Sequence, residues 1–241
     1  MIKELTNYIV SPHHYISKYT KPLLVIKWIL FLLFINISIK YLIAISFEKT
    51  GLSEAIFGHL QNSNESNYLL SQIIILAVAE EIIFRAPLKY STFIPPLFLC
   101  LILTFTLTIL RNFLEIEHVL AKVSAIVIPL ILSTLFYFAF RKHKFNDLLK
   151  SFWTKNFKYI FFTSAILFSL LHAIEFEINS VFVFIMALIF SSSQFLGALI
   201  YSFARMKIGL WASIVIHILS NLGIDYVWNL GEYLLETISS L

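Results

Sequence analysis

Long apolar runs broken by short polar segments dominate this chain. They lie near 23–46, 68–84, 93–110, 119–140, 158–174, 180–203, 208–223 and 224–239. A helix crossing a hydrocarbon core needs about 20 such residues, fewer when neighbouring helices shield its ends. No heptad repeat with flanking charges is present, which removes a coiled coil. The pattern predicts an all-α fold, a multi-pass transmembrane bundle of about eight helices forming a single polytopic domain over 1–241.

Composition agrees with this pattern. Hydrophobic residues make up 59% and charged ones 13% of 241 residues, against about 45–50% and about 25% in soluble domains, and the mean hydropathy is +0.85. A soluble body of this size could not bury so much apolar surface behind so few charges. The first run begins after some twenty polar and aromatic residues, is long, and lacks a small-residue cleavage pattern. It is therefore expected to remain as a helix and not to be removed as a signal peptide. The preceding segment, with His13, His14, Lys18 and Lys21, is expected on the membrane surface. Cys100, the one cysteine, excludes an internal disulfide.

Charge sorts by loop. Thirteen of the eighteen Lys and Arg fall before the first run or after the second, fourth and sixth, including Arg85, Lys89, the group from Arg141 to Lys158, Arg205 and Lys207. The alternate loops are acidic, with Glu48, Glu54, Glu65, Glu115, Glu117, Glu175, Glu177 and Asp225. Cytoplasmic loops collect Lys and Arg, so this alternation supports the helix count and places the N-terminus in the cytoplasm. The net charge of +4 is thus read as membrane topology, with lipid as partner and no nucleic acid. Lys27 and Lys40, inside the first run, are expected to snorkel to an interface, and the basic stretch Arg141–Lys158 to be a cytoplasmic loop facing anionic lipid.

Polar groups inside apolar runs are costly and need a partner or a function. The second run ends with Glu80 and Glu81 followed by Arg85. Residues four apart share a helix face, so Glu81 and Arg85 can pair while Glu80 points elsewhere. A desolvated carboxylate suits general-base work, making Glu80 the candidate base. Phe168 and His172 share a face near the end of the fifth run, and His217 and Asn221 share one in the seventh. Three separate helices thus offer acid, imidazole, and imidazole with amide, the parts for activating water and stabilising an oxyanion. Ser191, Ser192, Ser193 and Gly197 form a small-residue face suited to close helix packing, with Gln194 beside it.

Glu-Glu-x-x-x-Arg at Glu80, Glu81 and Arg85, Phe-x-x-x-His at Phe168 and His172, and His-x-x-x-Asn at His217 and Asn221 resemble the three ordered motifs of the CAAX protease and bacteriocin-processing (CPBP, or Abi) family of intramembrane proteases. Gln194-Phe-Leu-Gly197 and Gly209-Leu-Trp211-Ala-Ser213 are similar to its late helices. The likeness covers about 68–222. It implies cleavage of a peptide bond of a membrane-associated peptide or protein. Glu80 and His172 would activate the water, His217 and Asn221 would face the oxyanion, and Glu81 and Arg85 would orient the site. The 90 residues separating Glu81 from His172 exceed the family's usual interval and are read as an inserted helix pair, about 93–140.

Other readings remain open. Zinc held by Glu80, His172 and His217 would give a metalloprotease, although no His-Glu-x-x-His motif is present. The same fold without catalysis would serve as a membrane scaffold or bacteriocin-immunity protein. A proton-coupled transporter would need paired Gly- or Pro-interrupted runs, which are not seen. The expected location is a bacterial plasma membrane.

Overall fold

The computed structural model of the chain describes residues 1–13, 21–48, 66–113, 119–140, 143–174 and 181–223. These contain nine α-helices: α1 (Ile2–Val10), α2 (Pro22–Glu48), α3 (Ser66–Phe84), α4 (Ile94–Phe113), α5 (Val119–Phe140), α6 (His143–Lys155), α7 (Phe157–Ile174), α8 (Val181–Lys207) and α9 (Leu210–Gly223). The described residues contain no strand. Seven of the apolar runs coincide with helices, while the run at 224–239 lies outside the described residues. Among the described residues two stretches, Pro22–Ile43 and Ala187–Lys207, are long and apolar enough to cross a membrane.

The chain divides into two compact units, one of Met1–Leu88 with Lys158–Leu241 and one of Lys89–Phe157. In the second, α4 and α5 form a hairpin in which Phe93 stacks on Tyr137, ring centroids 4.9 Å apart. The basic stretch read as a loop is helical over His143–Lys155. Its lysines obscured an amphipathic repeat: Phe145, Leu148, Leu149, Phe152 and Trp153 recur at three- and four-residue spacing. One flank packs through Asn146, whose Oδ1 accepts from the Tyr90 hydroxyl at 2.7 Å, and through Trp153 against the Tyr90 ring. Phe145, Leu148 and Phe152 are exposed beside Lys144 and Lys155.

In the first unit, α1 rests on α8 through buried Leu5 and Tyr8. The Tyr8 ring meets Phe161 and Phe203 edge-on, its hydroxyl donates to the His13 carbonyl at 3.0 Å, and burial pushes its phenol above the ordinary tyrosine value. Lys207 is buried at the end of α8, paired with Glu4 and lying 4.1 Å from the Trp28 ring. That cation–π contact compensates part of the cost of desolvating the ammonium. Gly209, at φ +149°, turns the chain from α8 into α9 in a backbone region that favours glycine.

Helix α2 meets α8 and α9 through polar groups buried in an apolar helix. Asn36 Nδ2 donates to Tyr201 OH at 2.7 Å and to Ser220 Oγ at 2.6 Å. Its Oδ1 faces Gly197, where an added Cβ would lie 3.1 Å from that oxygen. Held by two short bonds, the Asn36 amide cannot yield freely. Gly197→Ala therefore sets an overpacking cost of about 1–3 kcal/mol against a helix-propensity gain of about 1 kcal/mol. A fall in Tm of a few degrees is expected in thermal unfolding of the purified protein; an unchanged or higher Tm would show that the contact relaxes.

Candidate active site

The geometry begins with how α3 ends. Pro87 cannot continue a helix, and the chain passes into a 3-10 turn over Ala86–Leu88. The last carbonyls are satisfied from other helices: Ser164 Oγ of α7 donates to Phe84 O at 2.6 Å and Arg205 Nε of α8 to Arg85 O at 3.1 Å. A cation at a helix C-terminus also complements its dipole. These caps fix the turn that carries Glu80, Glu81 and Arg85.

Glu81 and Arg85 are fully buried, with Glu81 Oε1 3.5 Å from Arg85 Nε. The guanidinium lies 4.1 Å from the Phe168 ring centroid and 5.5 Å from that of Tyr201, so aromatic faces share in holding it. Glu81 Oε1 also accepts from His217 Nδ1 at 3.0 Å. That bond places the Nδ1 proton and turns Nε2 toward Glu80, Oε2 lying 3.5 Å away. The Tyr201 ring stacks on His217 at 4.5 Å between centroids and 18° between planes, fixing the plane of the imidazole.

On α7, Phe161, Ala165 and Phe168 form a buried stripe whose next member is His172. The His172 ring packs on Phe168 at 4.6 Å, and its Nδ1 donates to the Phe168 carbonyl at 2.9 Å. Its Nε2 is thereby left toward Glu80, 3.9 Å from Oε1. Both imidazoles thus keep Nδ1 on the protein and present Nε2 to one carboxylate. These separations exceed a good direct hydrogen bond. Glu80 and His172 retain 27% and 19% side-chain exposure, against 1% for His217 and none for Glu81, so the site is reachable from the Glu80–His172 side.

Of the six residues singled out from the sequence, Glu80, Glu81, Arg85, His172 and His217 meet directly. Asn221 lies one turn beyond His217 and is engaged differently: its Oδ1 accepts from Lys40 Nζ at 3.0 Å. Lys40 is 7% exposed, so it does not snorkel. Lys40, Asn36, Tyr201 and Ser220 are participants that the sequence reading missed. The available signal was the four-residue spacing of Asn36 and Lys40, which puts two polar groups on one face of an apolar helix. Among the described residues no group of three or more His, Cys, Asp or Glu is arranged to hold a metal ion.

Searches against protein-family profiles, curated proteins and solved structures find no match to this chain.

Proposed function

We propose that this chain is an intramembrane endopeptidase of the CAAX protease and bacteriocin-processing type, a multi-pass helix bundle of the bacterial plasma membrane with its N-terminus in the cytoplasm. The observation that carries the reading is the approach of both imidazole Nε2 atoms to Glu80, at 3.9 Å for His172 and 3.5 Å for His217, from three helices far apart in sequence. Membrane residence draws support from α2. Only 17% of its apolar window is buried, with Ile26, Leu30, Phe34 and Leu42 exposed. A soluble core helix would bury such a surface. Asn36 and Lys40 tie this helix to α8 and α9, which supports its place in the folded body.

In this mechanism a water hydrogen-bonded to Glu80 and His172 gives its proton to the Glu80 carboxylate as its oxygen attacks the peptide carbonyl carbon. The carbonyl π pair moves onto oxygen, and the oxyanion is met by Asn221 Nδ2–H, with the His217 ring beside it. Glu81 holds that ring at Nδ1, with Arg85 holding Glu81 in turn. The tetrahedral intermediate collapses, the C–N bond breaks, and the amine leaves with the proton that Glu80 received. Preorganised donors of this kind often supply the largest single share of rate enhancement.

The test maps protein N-termini in membranes of cells carrying the parent protein or Glu80→Gln. The reading requires termini that appear with the parent and vanish with the variant; identical sets would overturn it. Treatment of active membranes with phenanthroline separates two chemistries. Cleavage is expected to persist, whereas loss restored by added zinc would replace water activation by Glu80 and His172 alone with the metal reading.

A further inference from the structure

This inference rests on the peptidase reading and extends it to a residue on α2. A carboxamide presents an acceptor at one end and two donors at the other, and the two ends have nearly the same shape. Asn221 can serve an oxyanion only through its NH2 end. An ammonium has no acceptor, so Lys40 Nζ, 3.0 Å from Asn221 Oδ1, admits only the orientation in which the oxygen faces Lys40. The amide nitrogen is thereby committed to the other side.

Lys40 is held in place for this. Four residues earlier on the same face of α2, Asn36 bonds Tyr201 and Ser220, so successive turns of α2 grip consecutive residues, Ser220 and Asn221, of α9. Through Tyr201, stacked on His217, the same helix also steadies the second imidazole of the site. For packing alone, a buried ammonium bonded to a neutral amide is a poor choice. A methionine of similar length would fill the space without the cost of desolvating a charge. The charge does have a use beside a carbonyl oxygen that becomes negative during reaction.

We propose that Lys40 is a positioning residue that commits the Asn221 carboxamide to donate to the oxyanion, making α2 part of the catalytic apparatus. The kinetic probe is an internally quenched peptide spanning a cleavage site mapped with the parent and Glu80→Gln proteins. Lys40→Met is expected to lower kcat about 10–100-fold, less than the about 10²–10³-fold loss when an oxyanion donor itself is removed, with little change in KM. Lys40→Arg, which keeps donors and charge, is expected to recover most of the loss. In an Asn221→Ala background, Lys40→Met is expected to have no further effect, because its partner is gone. A parent-like kcat for Lys40→Met, or the same fold loss with and without Asn221, would overturn the proposal while leaving Glu80 as base intact. A peptide cut equally by parent and Glu80→Gln would instead sink the peptidase reading. A substrate-free measurement stands beside these: the 15N side-chain amide signal of Asn221, assigned by its loss in Asn221→Ala, is expected to shift in Lys40→Met. An unmoved signal would remove the orienting contact itself.

Discussion

Glu80→Gln is expected to reduce kcat by about 10²–10⁴-fold, the range that a positioned general base contributes, with little change in Tm. Glutamine keeps the size of the side chain and can still hold a water, but its amide cannot take the proton. Glu80 retains partial exposure, unlike buried Glu81, and its buried neighbour His217 keeps its bond to Glu81 when the Glu80 charge is lost. Glu80 and His172 act on the same water in the proposed mechanism. Combining Glu80→Gln with His172→Ala should therefore cost about as much as the worse single change, since residues working as one unit do not add. Rates on the mapped peptide and Tm on the same preparations decide it. An active Glu80→Gln protein removes the mechanism, and two independent multiplicative losses would mean that the pair acts on different steps.

How much of this arrangement could be read from sequence depended on which force governed each element. Seven helices were legible because apolar runs of helical length leave few alternatives. The end of α3 at Phe84 coincides with the end of the second run. The Glu81–Arg85 pair followed from four-residue spacing, and His172 and His217 stood out as imidazoles in apolar runs. What remained hidden was direction. An apolar helix such as α2 shows its facing only through isolated polar residues: Asn36 and Lys40 share one face, and Lys40 bonds Asn221 there instead of snorkelling. Arg205 and Lys207 counted as topological charges, yet Arg205 caps α3 and Lys207 is buried against Trp28. Helix α6 was obscured in the opposite way, its lysines outweighing a periodic apolar face. The partner of Nδ1 in each histidine, a carboxylate in one case and a carbonyl in the other, depends on tertiary packing that spacing does not encode.

The largest stability effect is expected at the buried Glu81–Arg85 pair. Arg85→Met removes the cation and leaves the Glu81 carboxylate enclosed with the His217 imidazole and the Ser213 hydroxyl. Breaking one side of a fully buried pair costs about 3–5 kcal/mol, most of it from the uncompensated partner. Glu81→Gln is the mirror case. Its amide oxygen can still accept from His217 Nδ1, so the tautomer survives, but the Arg85 guanidinium then keeps the faces of Phe168 and Tyr201 and the more distant charge of Glu80. Those contacts recover only about 1–2 kcal/mol. Combining the two substitutions removes both charges together and should be less damaging than the sum of the single effects, because neither change strands an ion in the double variant. Tm values for the parent, both single variants and the double variant provide the comparison. The expected order places the double variant above Arg85→Met; a double variant as unstable as the summed losses would mean that each group is held by other contacts and that their mutual attraction adds little. Kinetics should follow a different order. Even where the double variant regains stability, His217 has lost the carboxylate that holds its Nδ1, so turnover should stay low while the fold recovers, separating the pair's structural contribution from its service to the histidine.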